Sequence, residues 1–453
     1  MTSSTLLGRR LTALRLERAR TGQLEPERSP PASRPADFAQ LAIERARRLA
    51  VAVDGELIQT ESGRYIRIEP SGPDVPLDRA RLAVLPGAPP SDVPLVCLDT
   101  ETTGLATGPG TVAFLIGVGT WSDGRFQQMQ LLLPDQADEV ALLEALSAAI
   151  PAEAWLVSYN GRGFDWPLLV ARYRMAGRAA PVHAGHLDLL PLVRRVFRHR
   201  LSDARLRTVE TELLHLDRGP DIDGWEIPGR YLSCLRGGPA DPLVEVVRHN
   251  HEDVRSLARL LAHAEQSLGA LADRRAAPAG DLAGLAHAYR RIGRLEEALA
   301  CIEAALEARS AARPARYSWT AVLTTRADAP EPTHPSRNTR DAQDARDARP
   351  PLLLERARLL RRLGRHEDAH AAWRDLATGG GSMAGIAWLE VAKVLEHRWR
   401  DPAAALGACT AAERIAERAR RLGRPLIGIE ADLVRRRRRL AGRMARAGSG
   451  GAS

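Results

Sequence analysis

The chain has 453 residues, of which 44% are hydrophobic and 4% are aromatic, and its 65 basic and 56 acidic side chains leave a net charge of +9. This length predicts about three domains with sizeable cores. The positive charge is compatible with nucleic-acid binding, although an Arg-rich composition explains it as well. No apolar run reaches the roughly 18 residues that a transmembrane helix needs, and no signal-peptide core follows Arg9 and Arg10.

The four cysteines lie far apart, and no two of them form a Cys-x-x-Cys pair; they are Cys97, Cys234, Cys301 and Cys409. This spacing predicts buried thiols in a reducing compartment rather than a zinc site or a disulfide framework. We therefore expect a cytoplasmic protein.

The N-terminal part divides into an arm and a leader. Residues 1–36 are rich in Arg, Ser and Pro and predict a mobile basic arm, whose arginines are either solvated or in contact with phosphate groups. Residues 37–92 predict a small α/β leader followed by a Pro-rich linker. In the leader, Phe38 to Val51 has helical spacing, and two alternating runs around Ser62 and Gly63 predict a β-hairpin.

Residues 93–268 predict an α/β domain with a mixed sheet. The predicted order is strand, strand, strand, helix, strand, helix, with the elements at Val93–Asp99, Val112–Trp121, Phe126–Leu133, Asp138–Ile150, Ala154–Tyr159 and from Trp166 onward. Three further helical stretches follow. The first begins at Leu189, the second begins at Leu206, and the third runs from Asp241 to His263. Three antiparallel strands thus lead into a parallel strand through a helix.

The chain beyond Ala270 is helical, with a weak internal repeat. Small and large apolar residues recur at the spacing of tetratricopeptide-like helix pairs in residues 281–309 and 351–445, and a generic helical bundle is the alternative. Residues 310–350 are polar and Pro-rich and predict a disordered insertion. The run Arg435–Arg439 predicts a solvated helix face or tail, with polyanion binding as the alternative.

Two carboxylates end the first strand of the α/β domain. Asp99 and Glu101 follow the apolar run Val93–Leu98, and residues two apart on a strand face the same side. Like charges this close repel each other unless a cation lies between them. Hard oxygen ligands suit Mg²⁺ or Mn²⁺, so this strand end is a candidate metal site.

Two later segments contribute candidate partners. Asp165 follows a strand and a Gly-containing turn and opens a helix, where a simple N-cap is the alternative. Asp253 and His249 lie four residues apart on or beside the apolar face of a late helix, so their side chains can meet. A carboxylate on a buried face is costly unless it is paired or binds a metal, and a paired core His–Asp is the alternative.

These acids and their neighbours resemble the DEDD superfamily of ribonuclease-H-like 3′–5′ exonucleases, and most of all its YprB-like branch. Four strings carry the resemblance: Leu-Asp-Thr-Glu-Thr-Thr-Gly-Leu from 98, Tyr-Asn-Gly-x-x-Phe-Asp-Trp-Pro-Leu-Leu from 159, His-Leu-Asp-Leu from 186 and His-Asn-x-x-Asp from 249. The resemblance implies an α/β ribonuclease-H-like fold with a mixed sheet, three antiparallel strands plus parallel strands, and flanking helices. An all-α tetratricopeptide-like repeat domain follows in some members of that branch.

The resemblance also implies a chemistry. Asp99, Glu101, Asp165 and Asp253 would hold two Mg²⁺ or Mn²⁺ ions about 3.5–4 Å apart. His249 is the candidate general base, although the family places a Tyr four residues or a His five residues before the final Asp, and here position 248 is Arg. Thr102 and Asn160 are candidate substrate-binding residues, and Asp188 is a candidate helix cap.

We therefore expect a metal-dependent nuclease, acting as a 3′–5′ exonuclease on DNA or RNA, with a repeat domain that binds a protein partner or the substrate. Six arginines between 194 and 207 could contact the phosphate backbone, or form an exposed basic helix face. The alternative function is a non-catalytic scaffold that binds nucleic acid and protein without cleavage.

Overall fold

The computed structural model describes residues 35–104, 110–311, 337–381 and 383–449. The predicted arm at residues 1–36 therefore lies outside the described residues, except for its last two positions. The predicted insertion at residues 310–350 lies largely outside them as well, and a helix begins within its span at Arg337.

In the described residues, seven strands form one mixed sheet. The strands are β1 (Glu56–Thr60), β2 (Gly63–Ile68), β3 (Leu95–Thr102), β4 (Ala113–Ser122), β5 (Arg125–Leu132), β6 (Trp155–Ser158) and β7 (Gly185–Asp188). Their order across the sheet is β1-β2-β5-β4-β3-β6-β7. The predicted class, an α/β fold with antiparallel and parallel pairs followed by a helical region, is confirmed.

The sheet changes from antiparallel to parallel at its central strand. β3 pairs antiparallel with β4 and parallel with β6, and β6 pairs parallel with β7. The predicted hairpin β1–β2 extends the antiparallel edge, because β2 pairs with β5 through Ile66 and Leu132. The prediction missed β7, which has four half-buried residues and therefore too little alternation to be recognised.

Helices flank the sheet, and further helices form the C-terminal region of the chain. Around the sheet lie α1 (Pro35–Ala52), α2 (Arg79–Ala83), α3 (Glu139–Ala149), α4 (Asp165–Met175), α5 (Leu189–Val196), α6 (Leu206–Thr208), α7 (Ile227–Leu235) and α8 (Pro242–Leu268). Beyond them follow α9 (Leu271–Ala276), α10 (Ala279–Arg291), α11 (Leu295–Ala311), α12 (Arg337–Arg362), α13 (His366–Thr378), α14 (Ala384–His397), α15 (Pro402–Arg421) and α16 (Ile427–Ser449). A π-helical turn, Val209–Leu213, extends α6.

The two faces of the sheet bury separate sets of side chains. On β3, Val96 and Leu98 belong to the core under α3 and α4, whereas Leu95 and Cys97 belong to the core under α5 and the second half of α8. This alternation follows from the two-residue period of a strand. Asp99 and Glu101 share the parity of Cys97 and therefore project from the face that α8 covers.

The C-terminal helices continue one of these cores without a break. Leu282, Leu285 and Tyr289 of α10 are fully buried and belong to the same apolar cluster as Cys97 and Val193. The helical region is thus packed directly on the α/β domain. Whether its helix pairs are tetratricopeptide-like repeats remains a prediction.

Three smaller expectations concern the rest of the chain. All four cysteines are free and buried, as predicted. In the described ranges, no helix is both long enough and apolar enough to cross a bilayer. The run Arg435–Arg439 is partly structural, because Arg436 and Arg439 pair with the buried Glu396.

Candidate active site

The first two carboxylates stand at the end of the central strand. Asp99 lies opposite Gly117 of β4, and the register between β3 and β4 shifts between Glu101 and Thr102. The hydroxyl of Thr102 donates to the carbonyl of Gly104 at 2.7 Å, which ends the strand in a tight turn. The predicted strand end with two half-buried acids on one face is therefore present.

Two glycines of β4 allow helix α8 to approach these acids closely. A Cβ on Gly117 would lie 2.4 Å from Oδ1 of Asn250, and one on Gly119 would lie 2.9 Å from Cγ1 of Val254. Because both positions lack a Cβ, Asn250 is fully buried against the strand, and its Nδ2 donates to Oδ2 of Asp99 at 2.9 Å. Small residues on the strand thus bring α8 within hydrogen-bond distance of Asp99.

Asp165 reaches the same place from the turn after β6. Asn160 adopts a left-handed conformation with φ of 67°, which Asn tolerates, and the chain then enters α4 at Asp165. The buried Asp165 carboxylate accepts a hydrogen bond from the Thr100 hydroxyl at 2.5 Å, so it faces β3. The N-cap position is Phe164, and the simple capping alternative for Asp165 does not hold.

Asp188 has the structural role that was expected of it. It is the N-cap of α5, where its side chain accepts from the backbone N–H of Leu190. The same carboxylate accepts from the backbone N–H of Asn160 at 2.8 Å. Asp188 thereby holds the turn that carries Asn160, whose own side chain is exposed.

The last pair lies on α8. Nε2 of His249 is 3.7 Å from Oδ2 of Asp253, one helical turn further on, and both side chains are 17% exposed. The next acid, Glu252, is turned away and pairs with Arg259 at 3.0 Å. Asp253 therefore faces His249 whereas Glu252 pairs with Arg259, and the choice of Asp253 as the functional acid stays a prediction.

The electrostatics tie the four acids together. Burial, followed by the negative charges of Asp253 and Glu101, raises the pKa of Asp99 well above its usual range. Burial and the charges of Asp253 and Asp165 do the same to the pKa of Glu101. Burial also raises the pKa of Asp165, against the hydrogen bond from Thr100. Raised carboxylate pKa values mean that the site favours bound protons or cations.

Protein groups nevertheless engage three of the four carboxylates. Asn250 donates to Asp99 and Thr100 to Asp165, as described above, and the guanidinium of Arg218 lies 2.5 Å from Oδ1 of Asp253. Within the described residues, no group of three or more His, Cys, Asp and Glu side chains is arranged to hold a metal ion. The donors themselves are carboxylates, the hard oxygen ligands that a divalent cation prefers.

Sequence reasoning missed Arg218 and two acids beside it. Arg218 is almost fully buried and pairs with Glu210 and Asp221, which are also buried. Asp221 lies 28 positions before its partner His249, in a Gly-Pro loop without periodicity. No signal in the sequence connects these positions.

Five of the six arginines in the predicted cluster separate into two groups. Arg200 pairs with the buried Asp281 at 2.9 Å, and Arg207 lies 4.0 Å from Asp221, so these two have partners inside the protein. Arg194, Arg195 and Arg198 are exposed along α5 and just after it. Arg194 also acts electrostatically on Tyr159 at the end of β6.

Comparisons with known proteins agree with this architecture. Residues 96–265 match the RNase_H_2 family model of the RNase_H superfamily. The chain is also 36% identical over 176 residues to a protein of Bacillus subtilis (strain 168) named "Uncharacterized protein YprB". That match spans 38% of this chain and 42% of the relative. Residues 96–265 are therefore a ribonuclease-H-like domain with a nuclease-like fold.

Proposed function

We propose that this domain is a metal-dependent nuclease that trims DNA or RNA from the 3′ end. The observation that carries the proposal is the convergence of Asp99, Glu101, Asp165 and Asp253, whose charges act on one another at the end of the central strand. A cluster of this kind destabilises the protein unless it binds cations or has a chemical task. The superfamily fold of residues 96–265 makes nucleic-acid hydrolysis the task that we propose.

The four carboxylates would hold two Mg²⁺ or Mn²⁺ ions. When bound, such ions supply an activated water and stabilise the charge that develops on the phosphate. The donor set supports this assignment because all four ligands are hard oxygens.

The chain's own residues have separate tasks in this proposal. Asp99, Glu101, Asp165 and Asp253 bind the ions, and the Nε2 edge of His249, which faces Asp253, accepts a proton from the attacking water. The two candidate substrate-binding residues, Thr102 at the end of β3 and Asn160 at the end of β6, flank the site from neighbouring strands.

The remaining parts bring the substrate and partners to the site. The exposed Arg194, Arg195 and Arg198 offer positive charge to a phosphate backbone, which makes binding dependent on salt. The C-terminal helices, proposed as tetratricopeptide-like repeats, bind a protein partner or a longer substrate. The proposed domain limits are 93–268 for the nuclease and 281–309 with 351–445 for the repeats.

The test is a cleavage assay on 5′-labelled single-stranded DNA and RNA with Mn²⁺ or Mg²⁺. The wild-type protein should shorten the label-bearing strand progressively, and Asp99→Asn should lower the rate at least 10²-fold because it removes a ligand charge. Asp123→Asn, at the exposed turn between β4 and β5, is the matched control and should cleave normally. Equal cleavage by Asp99→Asn would refute the catalytic assignment.

A non-catalytic scaffold is the second candidate, and the ion pair between Arg218 and Asp253 favours it. An internal cation at the last carboxylate reduces the need for a metal ion. Calorimetric titration with Mn²⁺ separates the two, because a nuclease site should bind Mn²⁺ in the wild-type protein and lose that binding in Asp99→Asn. A scaffold should give no heat that depends on Asp99.

A further inference from the structure

The loop between the π-helical turn and α7, residues 214–226, covers the part of α8 that carries His249 and Asp253. We refer to it as the clamp loop. Gly219 turns the loop with φ of +64°, and its backbone N–H donates to Oδ1 of Asp217 at 2.8 Å. Its polar contacts with the segment of α8 around His249 and Asp253 come from two side chains and one carbonyl.

The first contact is made by Asp221 to His249. Both carboxylate oxygens of Asp221 are 3.0 Å from Nδ1 of His249, and the Asp221 side chain is 2% exposed. A neutral imidazole donates from one nitrogen and accepts at the other. A carboxylate at Nδ1 therefore selects the tautomer with the proton on Nδ1 and leaves Nε2 as an acceptor.

The second contact is made by Arg218 to Asp253. Its guanidinium is 2.5 Å from Oδ1 of Asp253, while Nε2 of His249 lies nearest Oδ2 of the same carboxylate. Arg218 also pairs with Glu210 and lies 3.5 Å from Asp221. The two oxygens of Asp253 thus face different groups, which fixes the rotation of the carboxylate.

The third contact is made by Arg248, the residue before His249, to the backbone of the clamp loop. Arg248 is 42% exposed and donates to the carbonyl of Pro220 at 2.9 Å, on the outside of the clamp loop. Successive helix residues point about 100° apart, so position 248 faces the loop backbone while position 249 faces Asp253. The arginine at 248 serves as an anchor for the loop.

Together these contacts close a ring of charged groups. Arg218 contacts Asp253, Asp253 faces His249, His249 donates to Asp221, and Asp221 contacts Arg218. Two residues of the ring are on α8 and two are on the clamp loop. The side chains of Arg218 and Asp221 are 6% and 2% exposed, so we expect them to act through Asp253 and His249.

We propose that Asp221 and Arg218 are positioning residues: Asp221 holds His249 in the tautomer that presents a bare Nε2, and Arg218 fixes the carboxylate of Asp253. This proposal rests on the proposed nuclease function. In this proposal His249, four residues before Asp253, orients the attacking water. It can do so because the carboxylate of Asp221 turns the Nε2 edge of the ring toward Asp253.

The first test observes His249 without any reaction. Protein carrying ¹⁵N-labelled histidine is examined by long-range ¹H–¹⁵N correlation at a pH where imidazoles are neutral, and His249→Gln identifies the signal. We expect the proton on Nδ1 in the wild-type protein and a mixture of tautomers in Asp221→Asn. Predominance of the Nε2–H tautomer in the wild-type protein would overturn the proposal, whether or not Asp221→Asn folds.

The second test separates kcat from KM on a labelled oligonucleotide with Mn²⁺. Asp221→Asn should lower kcat about 10- to 100-fold with little change in KM, because the buried Asp221 side chain acts through His249 and not on the substrate. Arg218→Lys keeps the charge but cannot contact Glu210, Asp221 and Asp253 at once, so kcat should fall as well. Asp217→Asn, on the same loop without a contact to α8, is the matched control and should keep the wild-type kcat.

The outcomes distinguish this proposal from the proposed function. If the wild-type protein cleaves and Asp221→Asn cleaves equally well, the positioning role is wrong and the nuclease function stands. If the wild-type protein cleaves nothing while the tautomer shift is observed, the contact between Asp221 and His249 is real and the nuclease function is wrong. Wild-type kcat in Arg218→Lys removes Arg218 from the proposal.

Discussion

Asp99 and Glu101 illustrate how proposed functional residues can conflict with stability. Both carboxylates are half-buried at the end of a strand, and their raised pKa values record the free energy that burial and neighbouring negative charges add to the ionised form. Asn250 donates one hydrogen bond to Asp99, which offsets only part of this.

A dependence of stability on pH follows from these two carboxylates. Because the folded protein has the higher pKa values, it binds more protons than the unfolded chain above about pH 4, and stability falls as the pH rises through that window. In a chelating buffer, Asp99→Asn should therefore be more stable than the wild-type protein at neutral pH, by about 1 kcal/mol. Thermal unfolding at a series of pH values measures the difference.

The control for this prediction is Asp123→Asn, whose side chain is exposed at a turn. It should unfold like the wild-type protein at every pH. A wild-type protein more stable than Asp99→Asn at neutral pH without divalent ions would contradict the argument.

His249 has one neighbour that the sequence predicts and one that it does not. The four-residue spacing to Asp253 showed that the two side chains could meet, and the structure places them 3.7 Å apart. The spacing could not reveal Asp221, which comes from a loop without periodicity. The direction of an imidazole is decided by whichever group reaches its second nitrogen, and that group can come from any part of the chain.

At the scale of elements, the packing of α8 on β4 decides whether Asn250 reaches Asp99. The helix approaches closely because Gly117 and Gly119 leave space for Asn250 and Val254. Apolar periodicity predicted the buried face of α8, including Asn250. The periodicity does not predict the distance between the helix and the sheet.

Gly117→Ala tests this packing. The added methyl group would lie 2.4 Å from Oδ1 of Asn250 and 2.6 Å from Cγ2 of Val254, so the helix must move or the side chains must leave their rotamers. We expect a loss of about 1–3 kcal/mol in the free energy of unfolding and a weaker Mn²⁺ affinity. Chemical denaturation and calorimetry measure the two effects.

Gly229→Ala in α7 is the matched control, because no atom lies within 4 Å of its added Cβ. It should leave stability unchanged or raise it by up to about 1 kcal/mol, as alanine favours a helix over glycine. If Gly117→Ala is as harmless as Gly229→Ala, close approach of α8 is not required.

At the scale of the whole molecule, the helical region and the ribonuclease-H-like domain share one core. A Cβ on Gly284 of α10 would lie 2.2 Å from the carbonyl oxygen of Arg195 in α5, so the two helices touch along their backbones. Arg200 pairs with Asp281 across the same junction, and the Tyr289 hydroxyl donates to the carbonyl of Val84. The proposed boundary near residue 281 is therefore a boundary of sequence character within a continuous core.

Coupled stability across this junction is the expected consequence. Leu285→Ala removes a fully buried side chain from the shared core and should cost about 2–5 kcal/mol. Because α5 packs against α10, the backbone amide hydrogens of Leu189–Val196 should exchange with solvent faster in this variant. Hydrogen exchange followed by mass spectrometry measures the local effect.

Leu433→Ala in α16 is the matched control, since it removes an equally buried leucine at the far end of the helical region. It should accelerate exchange in α14 and α16 and leave α5 unchanged. Equal protection of α5 in both variants would show that the two regions are stable independently.

The sequence by itself determined the order of the main strands and helices, the mixed sheet and four candidate acids, because these depend on local periodicity and on short strings of residues. The tertiary structure alone decided that Arg218 and Asp221 surround His249 and Asp253, that the β1–β2 hairpin joins the sheet, and that α10 shares the core of the domain. The reason is physical: periodicity records which side of an element is buried, whereas ion pairs and docking contacts join residues whose separation in the chain carries no local signal.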